Sequence, residues 1–158
     1  MIDAIDLKIL NILQDNARTS NAEIARKVGM APSAIFERIR RLETDGIIQG
    51  YEARLDPKKI GMSLVAFVYV KAEEKCGEMK IAAQLGKIPE VQEVHHIAGE
   101  DCYLVKVRTA STDALWELLR SRFGKISLLR STKTTIVLST KKETARLPLD
   151  ADALRKES

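Results

Sequence analysis

Cysteine, long apolar runs and a strong charge of either sign are all scarce in this chain of 158 residues. Cys76 and Cys102 lie far apart with no Cys-x-x-Cys spacing, which argues for two reduced thiols and against a disulfide framework or a zinc site. The longest near-apolar run, Met62 to Val70, spans nine residues and contains Ser63, whereas a bilayer-spanning helix needs about 20. Asp3 and Asp6 stand where an export signal would carry basic and then apolar residues, so a cytoplasmic location is expected. There is no glycine-rich phosphate loop, no Gly-x-Ser-x-Gly elbow and no defensible pair of catalytic acids, so no catalytic residue is assigned. His95 and His96 are adjacent in a strand-like stretch and would point to opposite faces, one packed and one exposed, so no metal site is expected.

What is present is the balance of a folded chain, 45% hydrophobic and 30% charged. Lys and Arg number 26 against 22 Asp and Glu, a net +4 that permits an anionic partner without requiring one. The first part has helical period. Asp3 suits the cap of a helix running to about Asn16, with Ile5, Ile9, Ile12 and Leu13 on one stripe. Ser20-Asn21-Ala22-Glu23 reads as a capping box opening a second helix whose apolar face is Ala22, Ile24, Ala25 and Val28, ended by Gly29. Pro32 suits the first turn of a third helix with Ile35, Ile39 and Leu42 buried, closed by Asp45-Gly46. Three short helices with a tight glycine-containing turn between the second and third are the helix-turn-helix layout. Ile47 to Leu55 reads as extended chain leading to a turn at Asp56-Pro57.

Beyond residue 62 the period changes to that of strands. Ser63 to Lys71 reads as a strand, Glu78 to Lys87 as a helix burying Met79, Ala82, Ala83 and Leu85, and Val91 to Ala98 and Cys102 to Thr109 as a hairpin. Thr112 to Phe123 follows as a helix and Leu128 to Thr140 as a last strand. The order βαββαβ is the ferredoxin-like pattern, so the fold class is α+β. Trp116 and Tyr103 are expected to pack on the sheet. The organisation expected is a helix-turn-helix over 1–46, a linker strand and turn over 47–62, the βαββαβ region over 63–140, and a tail or partner-covering arm over 141–158, mobility being the simpler reading of the tail.

The third helix carries the informative face. Opposite its apolar stripe stand Ser33, Glu37, Arg40, Arg41 and Thr44. Ser33, Ala34, Phe36 and Glu37 occupy the half of a recognition helix that meets base edges, Glu37 being able to accept from a cytosine amino group. Arg40 and Arg41 lie where guanidinium groups clamp phosphates or reach guanine, with Lys27 a further phosphate contact. Arg38 lies nearer the core edge, where its stem packs beside the first helix or its head reaches DNA. The alternative for the whole face is a solvated one on which Glu37 pairs with Arg40 or Arg41.

Asn16-Ala17-Arg18, Glu23-Ile24-Ala25, Arg38-Ile39-Arg40-Arg41-Leu42-Glu43, Gly46-Ile47-Ile48-Gln49-Gly50-Tyr51, and Gly61 after Asp56-Pro57 together resemble the Lrp/AsnC, or feast/famine, family of bacterial and archaeal regulators. The resemblance runs from residue 3 to about residue 140. It implies a winged-type helix-turn-helix joined to a βαββαβ domain that dimerises through its sheet, with dimers assembling further, commonly to octamers. It also implies binding to an imperfect DNA palindrome and regulation by a small effector, usually an amino acid, held between dimers, with no other cofactor. The loop matching the effector region is Gly99-Glu100-Asp101, with Thr134, Thr135 and Ser139 beside it on the last strand. Exposed amides at a glycine can receive a carboxylate and an acid can receive an ammonium, although a plain hairpin turn needs the same glycine. Two positions depart from the family pattern: Cys102 stands where an acid is usual, and Ala31 where a capping Ser is usual. An enzyme of the same architecture, similar to the sirohaem decarboxylases, and a metabolite sensor that does not bind DNA are the competing readings.

Overall fold

A computed structural model describes residues 2–73, 78–99 and 102–149. It divides into two compact units, one comprising residues up to 54 together with the segment from 143, the other residues 55–142.

The first unit begins with α1 (Ala4–Asp15), followed by α2 (Asn21–Val28) and α3 (Pro32–Thr44). Asp3 caps α1 through both its side chain and its backbone: one carboxylate oxygen accepts from the Ile5 and Asp6 amides, while the Asp3 amide donates to Asp6. At α2 the expected capping box is only half formed. The Ser20 hydroxyl accepts from the Glu23 amide, but the Glu23 carboxylate turns to Lys27 at 2.9 Å, because a charged partner one turn on outcompetes a neutral backbone amide. Gly29 closes α2 at φ +79°, a conformation that opposes a side chain, and so aims the chain into the tight turn before α3. Ala31 offers no side-chain hydrogen bond to the start of α3, and Pro32 supplies the preset φ instead.

The core of this unit is Ile9, Ile24, Ala25, Ile35 and Ile39, with Ile5, Ile12, Leu13 and Val28 packed against it. Ala22, expected on the buried face of α2, is exposed, and Asp6, Leu7 and Leu10 of α1 are buried although the apolar stripe did not include them. After α3 the chain at 47–55 pairs with no strand among the described residues, and its Tyr51 hydroxyl donates to Glu43 at 2.9 Å. Burial, reinforced by that carboxylate, pushes the Tyr51 phenol up to about 12, so it remains a donor.

Residues 143–149 belong to the segment expected as a tail or arm over 141–158. They run along α1, where the Gln14 side chain both donates to the Leu147 carbonyl at 3.2 Å and accepts from the Leu147 amide at 2.7 Å. Asn11 donates to the Leu149 carbonyl, Arg146 pairs with Asp15, and Arg54 donates to the Glu143 carbonyl. A polar helix face holds the segment by hydrogen bonds, which leave no apolar period in the sequence.

The second unit is a four-stranded antiparallel sheet of order β2-β3-β1-β4, made from β1 (Leu64–Ala72), β2 (Val91–His96), β3 (Tyr103–Thr109) and β4 (Leu129–Ile136). Helices α4 (Lys80–Leu85) and α5 (Thr112–Ser121) pack on one face. There Ala66, Val68, Val70, Tyr103, Val105 and Val107 meet Ile81, Leu85, Leu115, Leu118 and Phe123. Helix α4 is shorter than expected and buries Ile81 and Leu85, whereas Met79 and Ala83 are exposed. The opposite face carries Phe67, Tyr69, Leu104, Lys106 and Thr135. Trp116, expected against the sheet, stands 66% exposed on α5. Both histidines are exposed, where one was expected to be packed: His95 pairs with Glu93, and His96 lies against Tyr103 at a centroid distance of 5.3 Å. Cys102 is a free thiol, and Cys76 lies outside the described residues. No group of metal-ligating side chains, and no helix long and apolar enough to cross a membrane, occurs among the described residues.

Candidate nucleic-acid interface and effector region

Helix α3 rests on α1 and α2 through Ile35, Ile39 and Leu42, and this leaves a continuous outer face. Ser33, Glu37, Arg40 and Arg41 are exposed on it and Ala34 is half-buried. Phe36 is 52% exposed, an apolar ring held in water with no core to enter. Glu37 and Arg40 form no ion pair among the described residues, so the self-neutralising alternative in which Glu37 pairs with Arg40 or Arg41 is not what this face adopts. Lys27 of α2 is half-exposed and held by Glu23.

Arg38 and Arg41 differ from Arg40. The Arg38 guanidinium lies 2.7 Å from both Asp3 and Asp6, and the Arg41 guanidinium lies 2.6 Å from Asp6. Arg38 is mostly covered, its guanidinium paired with the α1 cap Asp3 and with Asp6 in the first turn of that helix. Those pairings raise the Arg38 pKa, hydrogen bonding to Asp3 being the larger cause, and the Asp6 amide followed by Arg38 holds the Asp3 carboxyl below its usual range. Arg41 keeps about half its side chain in solvent. Sequence reasoning missed Asp6 as a member of this site. The available signal was a pair of arginines three residues apart on one helix and an acid in the first turn of another.

The effector region is only partly described, since Glu100 and Asp101 lie outside the described residues. Gly99 has φ +137°, a backbone conformation that a side chain rarely adopts, so this position is built around glycine. Thr134 is opposite Val68 and Thr135 opposite Phe67, so the two threonines point to opposite faces of the sheet and do not line one surface. Ser139 lies three residues beyond the end of β4, exposed, and not on the strand as expected. Cys102 continues the ladder next to the loop, its amide donating to the Val70 carbonyl at 2.9 Å.

Comparison with known proteins bears on both units. A family model for winged helix-turn-helix DNA-binding regions matches residues 2–49, and one for the Lrp/AsnC ligand binding domain matches residues 65–147. The chain is 40% identical over 149 residues to the HTH-type transcriptional regulator FL11 of Pyrococcus horikoshii, covering 94% of this chain and 97% of that protein. It is 36% identical over 148 residues to the leucine-responsive regulatory protein of Salmonella typhimurium, covering 92% and 90%. A transcriptional regulator of Neisseria meningitidis solved as an L-Met complex superposes with a TM-score of 0.87 at 30% identity, covering 95% of this chain and 98% of that one. A basic, outward-facing third helix and a helix-backed βαββαβ sheet, matched in this order along nearly the whole of such relatives, make this chain a DNA-binding transcriptional regulator of the Lrp/AsnC family.

Proposed function

We propose that the chain acts in the cytoplasm as a homodimer whose two α3 helices enter successive major grooves about 34 Å apart and read an imperfect palindrome. Arg40, Arg41 and Lys27 contact phosphates and supply affinity. Ser33, Ala34, Phe36 and Glu37 meet base edges, the Phe36 ring being suited to a thymine methyl and Glu37 to a cytosine amino group. The observation that carries this reading is the outer face of α3, on which Arg40 and Glu37, without ion-pair partners among the described residues, stand together with an exposed aromatic ring. Its sheet supports dimerisation: Phe67, Tyr69 and Leu104 are half-buried on a face that no helix of the same unit covers. Dimers assemble further, to an octamer.

The effector is an amino acid with an apolar side chain, bound between dimers by the Gly99-Glu100-Asp101 loop and by Thr135. The leucine-responsive and methionine-bound relatives support that chemistry. Coupling to DNA requires the effector to bind one assembly better than another. The deciding experiment measures binding to a duplex selected by the wild-type chain from a random-sequence pool. Arg40→Ala is expected to weaken binding and to lower the slope of log K against log salt by about one. An unchanged slope would remove this face from the interface.

A further inference from the structure

Asp6 is fully buried, yet its carboxylate serves both neighbouring arginines of α3. One oxygen accepts from Arg38 Nη1 at 2.7 Å, and the other accepts from Arg41 Nη2 at 2.6 Å and from the Asp3 amide at 3.0 Å. Asp3 divides its own oxygens, one to the amides at the start of α1 and one to Arg38 at 2.7 Å. Two carboxylates and two guanidiniums thus form one closed cluster with no net charge, tying the first turn of α1 to the middle of α3.

The cluster treats its two arginines unequally. Arg38 is held by two carboxylates, both at Nη1, and is mostly covered, whereas Arg41 is held by one, at Nη2, and keeps 48% of its side chain exposed. A guanidinium is a planar fork of five N–H donors, and one fork can engage two anions on different edges. The edge of Arg41 away from Asp6 has no partner among the described residues, and Arg41, Arg40 and Glu37 are all exposed on α3. Side-chain freedom that a loose arginine would lose on meeting a phosphate has already been lost here.

We propose that Asp6 is a positioning residue for DNA recognition: by holding Nη2 of Arg41, it aims the free edge of that guanidinium at a phosphate of the bound duplex. This rests on the reading of α3 as the DNA-facing helix. It reverses the expectation from charge alone, by which removing a negative group from a DNA-binding unit tightens binding.

The test uses the full-length chain and a fluorescent duplex selected by the wild-type chain from a random-sequence pool, titrated over a range of salt. Asp6→Asn keeps the shape of the side chain and removes its charge. It is expected to weaken binding about tenfold, the size of one lost charge-assisted contact, and to lower the salt slope by about one. Arg41→Lys keeps the charge but replaces the planar fork, whose separate edges can face Asp6 and a phosphate at once, with one compact ammonium, and it is expected to weaken binding similarly; combined with Asp6→Asn it should add little further loss. Because Arg41 is half-exposed, the Lys variant reports even where Asp6→Asn unfolds the first unit. Equal or tighter binding by folded Asp6→Asn, or wild-type binding by Arg41→Lys, would overturn the proposal while Arg40→Ala still weakens binding. Loss of effect at Arg40 as well would instead bring down the reading of the helix, and this proposal with it.

Discussion

Asp3 performs two tasks that can be separated by substitution. As a cap it accepts from two amides, and as a charge it holds Arg38. Asp3→Ala loses both and should destabilise the first unit by about 1 kcal/mol or somewhat more in urea unfolding. Asp3→Asn retains a good cap but no charge, and pH separates the two. The Asp3 carboxyl titrates below its ordinary value of 3.8 in the folded chain. Its charge-dependent contribution is therefore complete above that value and lost as pH falls through the lower folded one. Wild type should lose stability in that acid window relative to Asp3→Asn, and the two curves should run parallel at neutral pH. Glu93, held down chiefly by Lys106 and then by His95, behaves with the same sign in the second unit.

At the scale of elements, the two ends of the turn between α2 and α3 invite opposite changes. Gly29 at φ +79° has open space where a methyl group would stand, so Gly29→Ala costs conformational energy alone, about 1–2 kcal/mol, read as a lowered thermal midpoint. Ala31 sits in extended backbone at φ −71° and ψ 143°, the conformation of a capping residue, but with nothing to cap with. Ala31→Ser should therefore stabilise the start of α3 by about 1 kcal/mol in the same measurement. Both positions were legible from residue type, because glycine and a missing hydroxyl act locally. The helix lengths were less so. Helix α4 buries Ile81 and Leu85, four residues apart, against the sheet; the expected Leu85 is there, but a loose count of apolar residues could not choose Ile81 over Met79 and Ala83.

For the molecule as a whole, the segment 143–149 belongs energetically to the first unit although it follows the last strand in sequence. The Gln14 side chain copies a backbone pairing with Leu147, so Gln14→Ala should free the segment. The expected result is several-fold faster tryptic cleavage after Arg146, with the remaining fold intact. Effector binding is a second whole-molecule property. Among the twenty amino acids, one that binds the native assembly should raise thermal stability, by about 2.7 kcal/mol at one hundred times its Kd. No stabilisation by any amino acid would exclude that effector class.

The order of helices and strands, the α+β class and the outward face of α3 follow from period, caps and glycines, since those signals act over a few residues. Arg40 and Arg41 look equivalent on the same grounds, and helical spacing sets Arg38 only nearer the core edge. Only the packed structure shows their partners: Asp6, more than thirty residues away in sequence, shares Arg38 with Asp3, takes Arg41 through Nη2, and leaves Arg40 without an ion-pair partner among the described residues. Local propensity determined which segments fold. Which charges remain available to a partner was decided by tertiary contacts, because neutralisation falls off over a few ångströms of space whatever the separation along the chain.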